Sequence, residues 1–188
     1  MNQIFNKIIG DTEITIQSVE YTSWEECFSR FKFIFHHKRY DLENFDDRLD
    51  FRDYSSWEKY EGAIEEEYNP MFISPVYMTD HSYLSLSIGK PADKWDSGQI
   101  GFAILLKEDY DQLCEYSDSK TLSKKTLEEI LIDDLIKYEA YLNGDIYEMI
   151  IEYPEDSMCY GYYYGCDWKT NGLYDDLPEA YKNIINEL

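Results

Sequence analysis

Short segments of alternating apolar and polar residues dominate the middle of the chain and predict a β-sheet. Pro, Gly, Asp and Ser residues typical of turns separate them, and the segments are MFISPVYMT, YLSLSIG and QIGFAILL, within 71–106. Residues 13–21, EITIQSVEY, show the same two-residue period, with Ile14, Ile16 and Val19 on the predicted buried side.

A β-hairpin is predicted near the end of the chain. IYEMIIEY and MCYGYYYG are rich in β-branched and aromatic residues and flank a four-residue turn, PEDS. Alternation along the second segment sends some tyrosines into the core and others outward. We expect the outward pair, Tyr162 and Tyr164, at a partner surface, with simple exposure as the alternative.

Residues three and four apart predict a long amphipathic helix over 123–142, ended by Gly144. Its stripe consists of Leu127, Ile130, Leu131, Asp134, Leu135, Tyr138 and Leu142. Residues 109–116 predict a helical turn, and 177–188 predict a closing helix.

Two capping-box patterns predict further helix starts. Ser55 with Glu58 precedes the helix WEKYEGAIEEEY, and Ser23 with Glu26 precedes FSRFKFIF, where we expect a short helix leading into a strand. With no repeat or linker in 1–188, the patterns predict a single α+β domain with a mostly antiparallel sheet and flanking helices.

The charge balance is strongly acidic. Of 188 residues, 39 are Asp or Glu and 17 are Lys or Arg, which gives a formal net charge of -22. The resulting negative field disfavours direct binding of free nucleic acid or of anionic lipid. Duplex DNA carries about two charges per base pair, so this charge matches that of about 11 base pairs. Either the acidity serves solubility or adaptation to salt, or the protein mimics nucleic acid and occupies a basic groove.

The four cysteines form no CxxC pair and no disulfide framework, which favours reduced thiols. The first ten residues, MNQIFNKIIG, lack the basic start and long apolar run of a signal peptide. We therefore expect a protein of the host-cell cytoplasm without a membrane partner.

Three segments resemble a family of small, uncharacterised proteins of bacteriophages and other mobile elements, mostly of Gram-positive bacteria. They are FHHKRYDL at 35–42, PVYMTDHSYLSLS with WDSGQIGF in 75–102, and YEAYLNGDIYEMII with DSMCYGYYYG in 138–165. The chain departs from the family pattern at Glu43 and Asn44, where a Gly-Asp pair often follows the Leu.

The resemblance implies a biological context. Small acidic proteins of phages and plasmids frequently neutralise host defence, as anti-CRISPR proteins and DNA-mimicking antirestriction proteins do, and the analogy extends to this chain only at that level.

The three histidines all lie in these segments and suggest an active site. His37 and His81 could serve as base and acid on a phosphodiester, with Arg39 neutralising the developing charge and Asp96 completing the site. The alternative is that these polar side chains tie loops together. Asp80, His81 and Asp96 also have the chemistry of a hard-metal site, but their spacing matches no ligand motif, so no metal or other cofactor is predicted.

The leading hypothesis is therefore an anti-defence inhibitor whose acidic faces bind the basic nucleic-acid groove of a host nuclease, a CRISPR or restriction enzyme. The candidate faces are 41–67 and 128–156. Their predicted contact residues, apart from the tyrosines, are Asp46, Asp47, Glu65, Glu66, Glu67, Asp133 and Asp134. The alternatives are a ribonuclease that cleaves the guide RNA of a CRISPR effector and an accessory regulatory protein that binds another phage protein.

Overall fold

A computed structural model of the chain describes residues 2–20, 29–42, 45, 48–92 and 95–188. It contains two four-stranded antiparallel sheets and several helices, which confirms the α+β class. The chain divides into two compact units, a terminal unit of Met1–Thr22 with Ile136–Leu188 and a central unit of Ser23–Leu135. The single domain over 1–188 stays a prediction.

The terminal unit contains the sheet β1-β2-β7-β8, in which all neighbours are antiparallel. Its strands are β1 Gln3–Ile9, β2 Thr12–Ser18, β7 Ile146–Tyr153 and β8 Asp156–Tyr164. Ile14 and Ile16 are fully buried on its inner face, as predicted, whereas Val19 lies beyond the strand and is half-buried. The inner face packs on the C-terminal segment through Leu173, Leu177, Ile184 and Ile185.

Three features of this unit differ from the predicted pattern. Strand β1 was not predicted. The hairpin turn has two residues, Pro154 and Glu155, rather than four, because Tyr153 pairs with Asp156. The closing helix is a 3-10 helix, Glu179–Asn186, preceded by the short helix α4 Leu173–Asp176. Its ends carry i to i+3 hydrogen bonds, from Tyr181 N to Pro178 O and from Glu187 N to Ile184 O.

The central unit contains the sheet β3-β6-β4-β5. Its strands are β3 Lys32–Phe35, β4 Phe72–Asp80, β5 Leu84–Ser87 and β6 Ser97–Leu105, so the predicted central strands are confirmed. Helix α1, Trp57–Tyr68, places Tyr60 and Ile64 against Ile34, Phe102 and Ile104. This packing holds α1 against β3 and β6.

The helices begin and end close to the predicted residues. Helix α1 has the expected bounds, but its N-cap is Ser56, whose hydroxyl accepts from Lys59 N, rather than Ser55. The turn predicted at 109–116 is a full helix, α2 Lys107–Tyr116, and the amphipathic stripe forms α3 Lys124–Asn143. Gly144, with φ 74°, adopts the left-handed conformation that ends α3. The pattern at Ser23 and Glu26 lies outside the described residues.

No helix in the described part of the chain is both long and apolar enough to cross a bilayer.

Candidate functional site

The two resemblance segments of the central unit meet at one cleft of about 490 Å³. Its walls come from the residues after β3, from the end of β4, from the start of β6 and from the aromatic residues around the start of α1. The lining residues are His36, His37, Lys38, Arg39, Phe51, Trp57, Met78, Asp80, Trp95, Asp96, Ser97, Gly98, Gln99 and Ile100.

Strand pairing brings these distant segments together. Strand β6 lies between β3 and β4, with its first residue, Ser97, opposite Thr79 near the end of β4 and its middle residue, Gly101, opposite Phe35 at the end of β3. The ladder extends past the strands, with His36 N donating to Ile100 O at 2.6 Å and Asp80 N donating to Asp96 O at 2.7 Å. Backbone pairing, rather than side-chain contact alone, therefore positions the histidine segment beside the two aspartates.

Gly101 allows this close approach. Its φ is +155°, and a Cβ at this position would lie 2.0 Å from the carbonyl oxygen of Ile34. The ladder also shifts register between Val76 and Tyr77, opposite this point of β6. Gly101 thus permits a backbone approach that a residue with a Cβ would block.

Asp80 is the centre of the polar network in the cleft. Its Oδ2 accepts from the Arg39 guanidinium at 2.7 Å and from the Tyr40 hydroxyl at 2.9 Å. The hydrogen bond to Asp80 raises the pKa of Tyr40 above its ordinary value. Arg39 thus has its charge balanced by a carboxylate, which lowers its capacity to stabilise an anionic transition state.

His37 accepts hydrogen bonds from the chain itself. Its Nδ1 lies 3.2 Å from Arg39 N and 3.3 Å from Tyr40 N, and both backbone groups donate to it. Partial burial and the neighbouring Arg39 charge lower its pKa, against an opposing effect of Asp80. The imidazole is therefore neutral at pH 7 with its proton on Nε2, and the nitrogen that lacks a proton already serves as an acceptor. This geometry is that of a turn-stabilising residue.

His81 and Asp96 form a solvent-exposed pair at the edge of the cleft. His81 Nδ1 lies 3.5 Å from Asp96 Oδ2, and their side chains are 82% and 46% exposed. The structure therefore brings together all four predicted catalytic residues, His37, Arg39, His81 and Asp96. No group of three His, Cys, Asp or Glu side chains within the described ranges is placed to hold a metal ion, so Asp80, His81 and Asp96 do not form one there.

The sequence did not predict the central role of Asp80, its hydrogen bond with Tyr40, or the aromatic side chains that line the cleft, Phe51, Trp57 and Trp95. Trp95 is 95% exposed, and Phe51 and Trp57 stack with ring centroids 3.9 Å apart. Tyr40 and Trp95 belong to the quoted segments FHHKRYDL and WDSGQIGF, so their place in those motifs was the available signal.

We expect replacement of His37 by Asn to weaken the pH dependence of stability, because Asn keeps an acceptor in place of Nδ1 but does not titrate. The folded-state pKa of His37 lies below its ordinary value of 6.5. The unfolded chain therefore binds more protons just below that pH, and native stability falls as pH drops through this window. Melting temperatures at about pH 7.5 and about pH 5.5 should differ more for the parent than for the variant. If the melting temperatures of the parent and of the variant changed equally between the two pH values, the hydrogen-bonding role of His37 would be contradicted.

The described acidic contact residues lie at the end of α1 and on α3. Glu65, Glu66 and Glu67 are exposed at the end of α1, where Glu67 pairs with Arg48. Asp133 is 56% exposed on α3. Asp46 and Asp47 lie outside the described residues.

Asp134 is an internal residue. Its side chain is 1% exposed, and its carboxylate accepts from Ser29 Oγ, from Arg30 N and from the Arg30 guanidinium. A carboxylate engaged in this way holds the chain before β3 against α3, so we remove it from the candidate contact surface.

The hairpin tyrosines follow the predicted alternation. Tyr163 is 3% exposed, whereas Tyr162 is 50% exposed and Tyr164 is half-buried. Tyr162 therefore remains a candidate contact residue.

Comparisons of the chain with family models, with curated proteins and with solved structures found no match. The resemblance to mobile-element proteins accordingly stays an expectation.

Proposed function

We propose that this chain is an acidic binding protein that inhibits a host defence nuclease, of the CRISPR or restriction class, by occupying its Lys- and Arg-rich nucleic-acid groove. The inhibition is steric and electrostatic. The negative field accelerates encounter with a basic partner, and aromatic and aliphatic side chains at the contact slow dissociation.

The observation that carries the proposal is the pairing of the arginine side chains with carboxylates. The chain has four, and all four pair with carboxylates, Arg30 with Asp134, Arg39 with Asp80, Arg48 with Glu67 and Arg52 with Asp50. Arginine is the usual residue for binding phosphate. With its arginines paired internally and acids in an excess of 22, the surface is suited to cations rather than to phosphates.

The second candidate function, cleavage of guide RNA, is favoured by one observation: His37, Arg39 and Asp96 line a single cleft, and His81 lies next to Asp96 at its edge. Against it stand the paired Arg39 and the occupied Nδ1 of His37. A general acid–base group contributes about 10²- to 10⁴-fold in rate, so its removal would be plain in an assay.

Titration of the protein into DNA-cleavage reactions tests both functions, with a guide-loaded CRISPR nuclease and a restriction enzyme as probes. We expect cleavage to stop near an equimolar ratio, with guide RNA of full length on a gel. The variant His81→Ala should inhibit as well as the parent, because this exposed side chain has no role in the proposed binding. Guide RNA shortened by substoichiometric protein would establish the ribonuclease instead, and uninhibited cleavage by every tested nuclease would refute the proposal.

A further inference from the structure

Part of one face of the sheet β1-β2-β7-β8 is open and combines acidic with apolar side chains, whereas Ile146, on the same side of β7, is 2% exposed. The inner face packs on the C-terminal segment, and the residues that alternate with it point the other way. Nine residues of this outer face form a patch that we name the open face: Asn6, Ile8, Glu13, Thr15, Glu148, Ile150, Glu152, Cys159 and Tyr162. All are exposed or half-buried.

The charges of the open face have one sign. It carries Glu13, Glu148 and Glu152, and none of its nine residues is Lys or Arg. The single basic residue of β1, Lys7, pairs in register with Ile14, on the inner face, and forms an ion pair with Glu187. A cationic ligand approaching this face thus meets carboxylates without competing side-chain cations.

The strand register places two of these carboxylates side by side. Glu13 of β2 is the direct cross-strand partner of Glu152 of β7. Like charges opposite each other destabilise a sheet, and a face that is merely solvated gains stability from opposite charges at such positions. Asn6 Nδ2 donates to Glu13 and Gln17 Nε2 donates to Glu148, so neutral amides hold two of the carboxylates in place.

Large apolar side chains lie among the acids. Ile8, opposite Glu13 in β1, is 67% exposed, and Tyr162, opposite Glu148 in β8, is 50% exposed. Exposed Tyr and aliphatic side chains next to charges are typical of protein interfaces, where they anchor a partner while the charges select it.

We infer that the open face is the surface on which this chain binds its partner, and that the partner presents a Lys- and Arg-rich protein surface. Nucleic acid and anionic membranes are repelled by the three carboxylates, and so is a second copy of this chain, since a two-fold contact would set the same acids against each other. The inference rests on the proposed function and specifies its contact surface.

Two triple variants with the same charge change test the inference. Glu13→Gln/Glu148→Gln/Glu152→Gln neutralises the open face, and Glu65→Gln/Glu66→Gln/Glu67→Gln neutralises the end of α1. In the nuclease titration, the first variant should need at least about tenfold more protein for half inhibition, and the second no more than about threefold. The melting temperature of the first should hold or rise, because the repulsion between Glu13 and Glu152 is removed.

A second measurement decides the inference even if no tested nuclease is inhibited. The probe is a synthetic 20-residue peptide of Lys, Arg and Leu, titrated into protein with labelled Ile methyl groups and followed by NMR. We expect the methyl signals of Ile8 and Ile150 to shift most in the parent and to stay in place in the open-face variant. Ile132 and Ile136 are comparators, being 43% and 54% exposed on the acidic helix α3.

The outcomes separate the two proposals. Failure of the parent to inhibit any nuclease refutes the proposed function alone, while the peptide result still supports or refutes the open face. If the parent inhibits and both triple variants weaken it equally, or if the peptide shifts Ile132 and Ile136 most, the open face is not the binding surface.

Discussion

Replacement of Gly101 by Ala is expected to destabilise the protein by at least about 4 kcal/mol. This figure adds the cost of backbone strain at a positive φ to the cost of steric overlap. The new Cβ would lie 2.0 Å from the carbonyl oxygen of Ile34 and 2.9 Å from the Cα of Phe35. Both are backbone atoms of β3, so no side-chain rotation relieves the overlap. Strands β3 and β6 would have to separate, and the His36 N to Ile100 O hydrogen bond would break with them.

Gly98→Ala is the matched control for this prediction. Gly98 lies in the same strand, and a Cβ there meets no heavy atom within 4 Å. Its stability should stay within about 1 kcal/mol of the parent in urea unfolding followed by circular dichroism. A Gly101→Ala protein as stable as the Gly98→Ala protein would contradict the close approach of β3 to β6.

Replacement of Asp134 by Ala should cost about 3 kcal/mol of unfolding free energy, since the buried Phe31 N and the part-buried hydrogen bonds from Ser29 and Arg30 lose their acceptor, and a buried donor without a partner costs about 1–3 kcal/mol. The lost carboxylate accepts from Arg30 N at 2.8 Å, from Ser29 Oγ at 3.1 Å and from the Arg30 guanidinium at 3.3 Å. Those donors would lose an acceptor next to the buried Phe31, and the chain before β3 would lose its attachment to α3.

The neighbouring residue gives a control with the same change in charge. Asp133 is 56% exposed and lies 3.8 Å from the Arg30 guanidinium, so Asp133→Ala should cost less than about 1 kcal/mol. Urea unfolding of the two variants provides the comparison. Equal losses would show that Asp134 acts only through general charge.

The spacing of apolar residues predicted most helices and strands, because an element that buries one face needs apolar residues at regular intervals along its own sequence. The two-residue pattern around Ile14 and the stripe of α3 were recovered for this reason. Strand β1 was missed because its alternation is weak, with exposed Ile8 opposite Glu13. The order of strands in the two sheets depends on contacts between distant segments, which a local pattern does not contain.

Asp134 shows the limit of reasoning from residue type. Its position on the apolar stripe of α3 indicated burial, while its charge suggested a surface contact, and the stripe was the better guide. The donors that make its burial stable come from residues 29–31, about a hundred positions earlier in the chain. Sequence alone could not identify these partners.

The sequence predicted the candidate catalytic residues of the cleft but not the arrangement of their side chains. The motifs placed His37, Arg39, His81 and Asp96 in two segments, and the register of β3, β4 and β6 brings them together. The chemistry then depends on which atoms are already engaged. The bonds of Asp80 to Arg39 and of His37 Nδ1 to the backbone weigh against the ribonuclease alternative, and neither follows from residue spacing.

The salt dependence of association tests the central claim, binding to a basic nuclease, most directly. The measurement is the association rate constant, by stopped flow, between the parent protein and the nuclease that it inhibits. Salt rises from about 0.05 M to about 0.5 M, where the Debye length is only about 4 Å. With 22 excess negative charges on this chain, the rate constant should fall at least about tenfold. A rate constant that does not change with salt would contradict electrostatic binding to a basic groove.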